Sequence, residues 1–94
     1  MNKLSIILCS YNEENNIKLT LENLIDKECV AEIIVVDDNS QDNTVTINNN
    51  FNNAKIKLYS RKNTKGFASA FIFGLMMSKE TNVLRFDVDM HSSI

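Results

Sequence analysis

The residues best suited to chemistry are Asp87 and Asp89, which flank Val88 in the stretch Phe86-Asp87-Val88-Asp89. In an extended strand, residues two apart share a face, so both carboxylates point the same way. Such a pair suits a hard cation, Mg²⁺ or Mn²⁺, bound through carboxylate and phosphate oxygens. That cation would neutralise a diphosphate and help it leave. The competing reading is a solvated strand end. His91, the lone histidine, reads equally as a third metal ligand or as an exposed loop residue.

Two other polar clusters follow apolar runs. Ser10-Tyr11-Asn12-Glu13 comes after residues 4–9, and Asp37-Asp38-Asn39-Ser40 comes after residues 32–36. Tyr11 can stack on a base. Glu13 lies three residues after Ser10, the spacing of a capping box, so it reads also as part of a helix start. One acid of the Asp37-Asp38 pair can accept hydrogen bonds from a nucleoside, or the pair can be an acidic lead into a helix. Ser40 reads as a helix cap. Lys65-Gly66 stands before a helix whose N-terminus attracts anions, although the phosphate-binding pattern GxxxxGK[ST] is absent. No Gly-x-Ser-x-Gly elbow or nucleophile triad occurs, and Cys9 reads as strand-end packing rather than as a nucleophile.

These clusters need elements to hold them. Residues 4–9 and 32–36 are apolar runs of strand length suited to burial on both faces, and residues 83–86 read as a fourth strand ending in acids. Residues 55–59 alternate polar and apolar, which predicts a strand nearer the sheet edge. Between them the spacing predicts helices: one opening at Ser10 and running to about Asp26, a short one from Asp42 to about Asn49, and one from Phe67 to Ser78. The asparagines at 48–50 and 52–53 read as a loop after the second helix. Gly74 costs a helix about 1 kcal/mol against Ala, so close packing is expected there. Phe67, Phe71, Phe73, Met76 and Met77 read as core and sheet-facing contacts. The order βαβαβαβ predicts the α/β class, a parallel sheet with helices on both faces. Ligands of such sheets bind at the carboxyl ends of the strands, and three of the four predicted strands end in polar or acidic residues.

Composition narrows the function classes. The 94 residues fit one domain, with 44% hydrophobic and 23% charged residues and no proline. A net charge of -2 without a basic run argues against a nucleic-acid partner. The opening apolar run is too short for a signal peptide or a transmembrane segment. The two cysteines, Cys9 and Cys29, have no metal-ligand spacing and are consistent with a reducing cytoplasmic setting.

Taken in order, four motifs resemble family 2 glycosyltransferases: residues 5–14, residues 32–44, residues 65–75 and residues 86–90. The last two are most similar to the dolichyl- or polyprenyl-phosphate mannosyltransferase branch. The resemblance implies a GT-A-like, Rossmann-like half domain that binds a nucleotide-sugar, GDP-mannose or a UDP-sugar. It implies transfer of the sugar, mannose in that branch, to a polyprenyl or dolichyl phosphate, with inversion and metal-assisted departure of the diphosphate. It implies that Tyr11, Glu13 and Asp38 hold the nucleoside, with Cys9 and Val36 lining that pocket. Asp87 and Asp89 would serve the metal and diphosphate with Val88 alongside, and His91 stands where that branch often has Gln. A place at the cytoplasmic face of a membrane goes with that acceptor. Departures are Cys9 and Val88, where the family usually has Pro and Ala, and the absence of a Pro soon after Asp89. The family's acceptor-binding half would follow residue 94, so residues 1–94 are expected to be a partial, donor-binding domain. A phospho-receiver signalling domain is the rival, from its similar acidic strand ends, and a folded fragment without catalysis is a second.

Overall fold

A computed structural model describes residues 3–62 and 66–88, apart from the side chain of Phe67. Four strands, β1 (Leu4–Ser10), β2 (Val30–Asp37), β3 (Ile56–Ser60) and β4 (Asn82–Arg85), alternate with helices α1 (Ile17–Ile25), α2 (Thr44–Asn50) and α3 (Phe67–Met77). The strands form one sheet in the order β3-β2-β1-β4, and every pairing is parallel. The expected order and class are found, with β3 at an edge. Each parallel return is a right-handed crossover. Steps from β1 to β3 move one way and put α1 and α2 on one face. The step from β3 back to β4 reverses direction and puts α3 on the other. The sheet therefore changes direction between β1 and β4, the place where ligands of such sheets bind.

Alternation along the strands builds two cores. Ile6 and Leu8 of β1 and Ile33 and Val35 of β2 face Ile17, Leu21 and Leu24 of α1. Ile34 and Val36 face Ala70 of α3, with Cys9, Tyr59 and Phe73 packed alongside. Each such buried aliphatic contributes about 1.5–3 kcal/mol. Tyr59 and Phe73 meet edge to face at 5.4 Å. Gly74 packs as expected: a Cβ there would lie 2.7 Å from Cγ2 of Ile7.

Several local expectations are corrected. Ser10 opens no helix. It is the last residue of β1, and α1 begins six residues beyond the expected start, at Ile17. Ser40 caps no helix either: α2 begins at Thr44, whose N–H is accepted by Asp42 at 3.0 Å. Asn48, Asn49 and Asn50 are the last turn of α2 rather than a loop. Asn52, with φ +47°, and Asn53, whose Oδ1 accepts the Lys55 N–H at 2.9 Å, make the loop after it. Met76 and Met77 are 73% and 37% exposed, not core. α3 is apolar all round, and only the side carrying Ala70, Phe73 and Gly74 meets the sheet.

A buried acid lies at the amino end of the sheet. Glu32 is 2% exposed and accepts from Ser5 Oγ at 2.6 Å, the Lys79 N–H at 2.6 Å and Lys57 Nζ at 3.3 Å. Ser5 Oγ in turn accepts the Glu80 N–H. The carboxylate thus fastens the α3–β4 turn to β1 and β2. Burial pushes its pKa up, but the three donors outweigh burial and leave it below the ordinary glutamate value. A depressed carboxyl stabilises the fold above its unfolded pKa, about 4.3, and this contribution fades as pH falls through the lower folded value. Acid titration of stability should therefore show a loss beginning below about pH 4.3 that Glu32→Gln flattens, the variant itself costing about 1–3 kcal/mol at neutral pH. Matching pH profiles for the two proteins would show that Glu32 carries no such load.

Candidate functional site

The carboxyl ends of β1, β2 and β4 converge, and period two decides which side each residue takes. Asp37 and Asp38 are adjacent and go to opposite faces. Asp37, on the α1–α2 side, is fully buried. Its Oδ1 accepts Ser10 Oγ at 2.7 Å and Ser40 Oγ at 2.6 Å, and its Oδ2 accepts the Ser40 N–H at 2.9 Å. The loops after β1 and β2 are then laced together. The Asn12 N–H donates to Ser40 Oγ, the Gln41 N–H to Asn12 Oδ1, the Glu13 N–H to Thr44 Oγ1 and the Glu14 N–H to Asp42. Asn12 and Asn39 make the sharp turns, with φ of +53° and +61°, a conformation asparagine tolerates.

This lacing presents Tyr11 and Glu13. Tyr11 is 41% exposed. Glu13 forms no capping box with Ser10; its Oε1 accepts Asn16 Nδ2 at 3.3 Å, and its carbonyl accepts the Ile17 N–H.

On the α3 side, Asp38 is 4% exposed and bound by a fork from Arg61: Nε to Oδ1 at 2.8 Å and Nη2 to Oδ2 at 3.0 Å. The Gly66 N–H adds a third bond to Oδ2 at 3.1 Å. The N-terminus of α3 thus already has its anion, and that anion is Asp38. Lys65 lies outside the described residues. The Asp38 contact holds the Arg61 guanidinium above its ordinary pKa.

Alternation continues past the end of β4. Phe86 and Val88 join the α1-side core, with the Phe86 N–H on the Ile7 carbonyl and the Thr20 hydroxyl on the Val88 carbonyl. Arg85 and Asp87 turn to the other side and pair at 3.3 Å, both about half exposed. Asp87 is the member of the proposed metal set that the structure describes, as an accessible carboxylate. Asp89 and His91 lie outside the described residues. Among the described residues no group of three His, Cys, Asp or Glu side chains is arranged to hold a cation.

Cys9 reports the convergence electrostatically. Burial raises its pKa, and the charges that then act on it are Arg85, Asp38, Arg61 and Asp87. Groups from β2, β3 and β4 thus surround the end of β1. A raised pKa keeps Cys9 a thiol, in line with packing rather than nucleophilic duty. Val36 and Val88, expected to line the nucleoside pocket and the metal site, are 0% and 3% exposed. Arg61 and Arg85 were not singled out in the sequence. Arg61 had one available signal, its place directly after a strand. Asp37, one of the two adjacent acids on which the phospho-receiver reading rested in part, is buried and fully engaged.

Comparisons agree with this geometry. The model of the family described as glycosyl transferase family 2 matches residues 5–92. A mannosyltransferase from Pyrobaculum calidifontis, solved with GDP-Man and Mn²⁺, superposes with a TM-score of 0.83 at 23% identity, over 93% of this chain and 27% of that one. Glucosyl-3-phosphoglycerate synthase from Mycobacterium tuberculosis, solved with Mn²⁺, UDP and phosphoglyceric acid, gives 0.75 at 23% identity, over 93% and 33%. TarS 1-349 from S. aureus gives 0.78 at 28% identity, over 93% and 27%. The chain thus spans about a third or less of the solved chains it matches. The fold is that of a GT-A nucleotide-sugar-binding half domain. No helix among the described residues is long and apolar enough to cross a membrane.

The lacing depends on one carboxylate. Asp37→Ala leaves the buried Ser10 hydroxyl and the half-buried Ser40 hydroxyl and N–H without their acceptor, and should cost about 1–3 kcal/mol in urea denaturation. A loss under about 1 kcal/mol, the level of an ordinary surface substitution, would mean that the loops hold without it.

Proposed function

This chain belongs to glycosyl transferase family 2, and from that premise we propose that it supplies the donor site for transfer of a sugar, mannose, from a nucleotide-sugar to a polyprenyl or dolichyl phosphate. The observation that carries the reading is that Tyr11, Asp38 and Asp87 follow the carboxyl ends of β1, β2 and β4, where the sheet reverses its strand order. The nucleoside lies against Tyr11, which stacks on the base, and Asp38 accepts a hydrogen bond from it. Glu13 borders the same pocket from the laced loop, and Cys9 forms part of its floor. Asp87 and Asp89 hold Mg²⁺ or Mn²⁺, with His91 as a further ligand. A divalent cation held by them would supply charge neutralisation for the departing diphosphate. The Arg85–Asp87 pair is exposed and worth under about 1 kcal/mol, so it yields Asp87 to a divalent ion. The acceptor phosphate oxygen attacks the anomeric carbon from the face opposite the leaving diphosphate, which inverts it. GDP-mannose is favoured as donor because the Pyrobaculum enzyme was solved with GDP-Man and Mn²⁺; UDP-sugars remain the second candidate through the synthase solved with UDP and Mn²⁺.

Isothermal titration with GDP and with UDP, each with and without Mn²⁺, tests the donor site. Binding should depend on the metal, and Asp89→Ala should weaken it at least about tenfold, or 1.4 kcal/mol, while the far-UV spectrum stays unchanged. A folded protein that binds neither nucleotide would instead be a fragment without a donor site.

A further inference from the structure

Arg61 follows β3 directly, and its backbone N–H donates to the Asp37 carbonyl at 2.8 Å, carrying the parallel pairing one residue beyond the strand. Its side chain then closes a circuit of three elements. The guanidinium forks onto both oxygens of Asp38 at the end of β2. Nη2 also reaches the Gly66 carbonyl at 3.3 Å, and the Gly66 N–H returns to Asp38 Oδ2 at 3.1 Å. Gly66 can turn both its groups to the clamp because it sits at φ +118°, where a side chain would be strained. The two charged side chains are 12% and 5% exposed, so solvent screens the pair little.

The consequence is directional. A carboxylate offers about four acceptor positions. Arg61 and Gly66 occupy three of them on Asp38, two on Oδ2 and one on Oδ1. What remains is one direction on Oδ1. We propose that Arg61 is a positioning residue of the donor site, one that fixes Asp38 in a single orientation with one acceptor direction left for a hydrogen-bond donor of the nucleoside. This rests on the reading of Asp38 as the nucleoside-facing carboxylate. A lysine at 61 keeps the charge but cannot fork, so the site needs the guanidinium and not merely a cation. The same clamp sets the first turn of α3 through Gly66, which ties the nucleoside side of the site to the helix on that face.

The test is a double-mutant cycle read by nucleotide affinity in Mn²⁺, with the Gly66 amide followed by NMR in the protein without ligand. Arg61→Gln should weaken GDP or UDP binding about tenfold, the scale of a charge-assisted fork. In an Asp38→Asn background the same change should cost less than about twofold, because Arg61 acts through Asp38. Arg61→Lys should keep the unfolding midpoint near wild type and still bind several-fold more weakly. The Gly66 amide resonance should move in all three variants. Equal losses with and without Asp38 would overturn the proposal, as would full affinity in Arg61→Lys or an unmoved Gly66 amide. A wild-type chain that binds neither nucleotide overturns the donor-site reading and this proposal with it; the Gly66 amide then still reports whether the clamp exists.

Discussion

The arrangement at the carboxyl edge depends on a carboxylate that no ligand can reach. Asp37 is fully buried and takes three hydrogen bonds from Ser10 and Ser40. Those bonds hold the loops after β1 and β2 against each other, and the backbone lacing from Asn12 to Thr44 builds on them. Burying a charge is costly unless it is hydrogen-bonded, so this cluster fixes one loop geometry instead of several. With Asp37 committed to one face, strand alternation sends Asp38 to the other, where Arg61 and Gly66 receive it. Two adjacent acids thus have different partners: one ties the β1 and β2 loops together and the other is clamped by Arg61 and Gly66.

Charge is partitioned along the sheet in the same way. At the amino end, Glu32 binds Ser5, Lys57 and the Lys79 N–H and fastens the turn that leads into β4. That turn determines where Asp87 emerges, because β4 pairs with β1 in register from Leu4–Asn82 to Ile7–Arg85. At the carboxyl end, two arginines and two accessible or clamped carboxylates surround Cys9. Each arginine there is paired with a carboxylate, Arg61 with Asp38 and Arg85 with Asp87, so the two charges are balanced locally until a ligand or cation competes for one partner.

Much of this was legible in the sequence because it depends on periodicity. The apolar runs marked β1 and β2, the alternation at 55–59 marked an edge strand, and the polar or acidic residues after three of the four predicted strands marked the carboxyl edge of the sheet. The two capping misreadings share one cause: each serine hydroxyl found a buried strand-end carboxylate instead of a helix N-terminus. Ser10 and Ser40 have the spacing of helix caps, yet both hydroxyls go to Asp37, 27 and 3 residues away. No local pattern predicts a contact across a parallel pair. The roles of Asp37 and Asp38 could not be divided from the sequence either, because that division needs the location of α3. Arg61 was hidden for the same reason, since its partners lie 23 and 5 residues away. Glu32 looked like the polar edge of an apolar run and is a buried anchor.

The central claim is that the ends of β1, β2 and β4 form one donor site at the point where the sheet changes direction. Paramagnetic broadening by Mn²⁺, measured on amide resonances with GDP or UDP present, tests it directly. The account predicts broadening centred on the amides of Phe86, Asp87 and Val88 and reaching Cys9 to Tyr11, with the amides of Glu32 and Glu80 at the other end of the sheet left sharp. Broadening centred on Glu32 and Glu80, or spread evenly over the acidic surface, would contradict it.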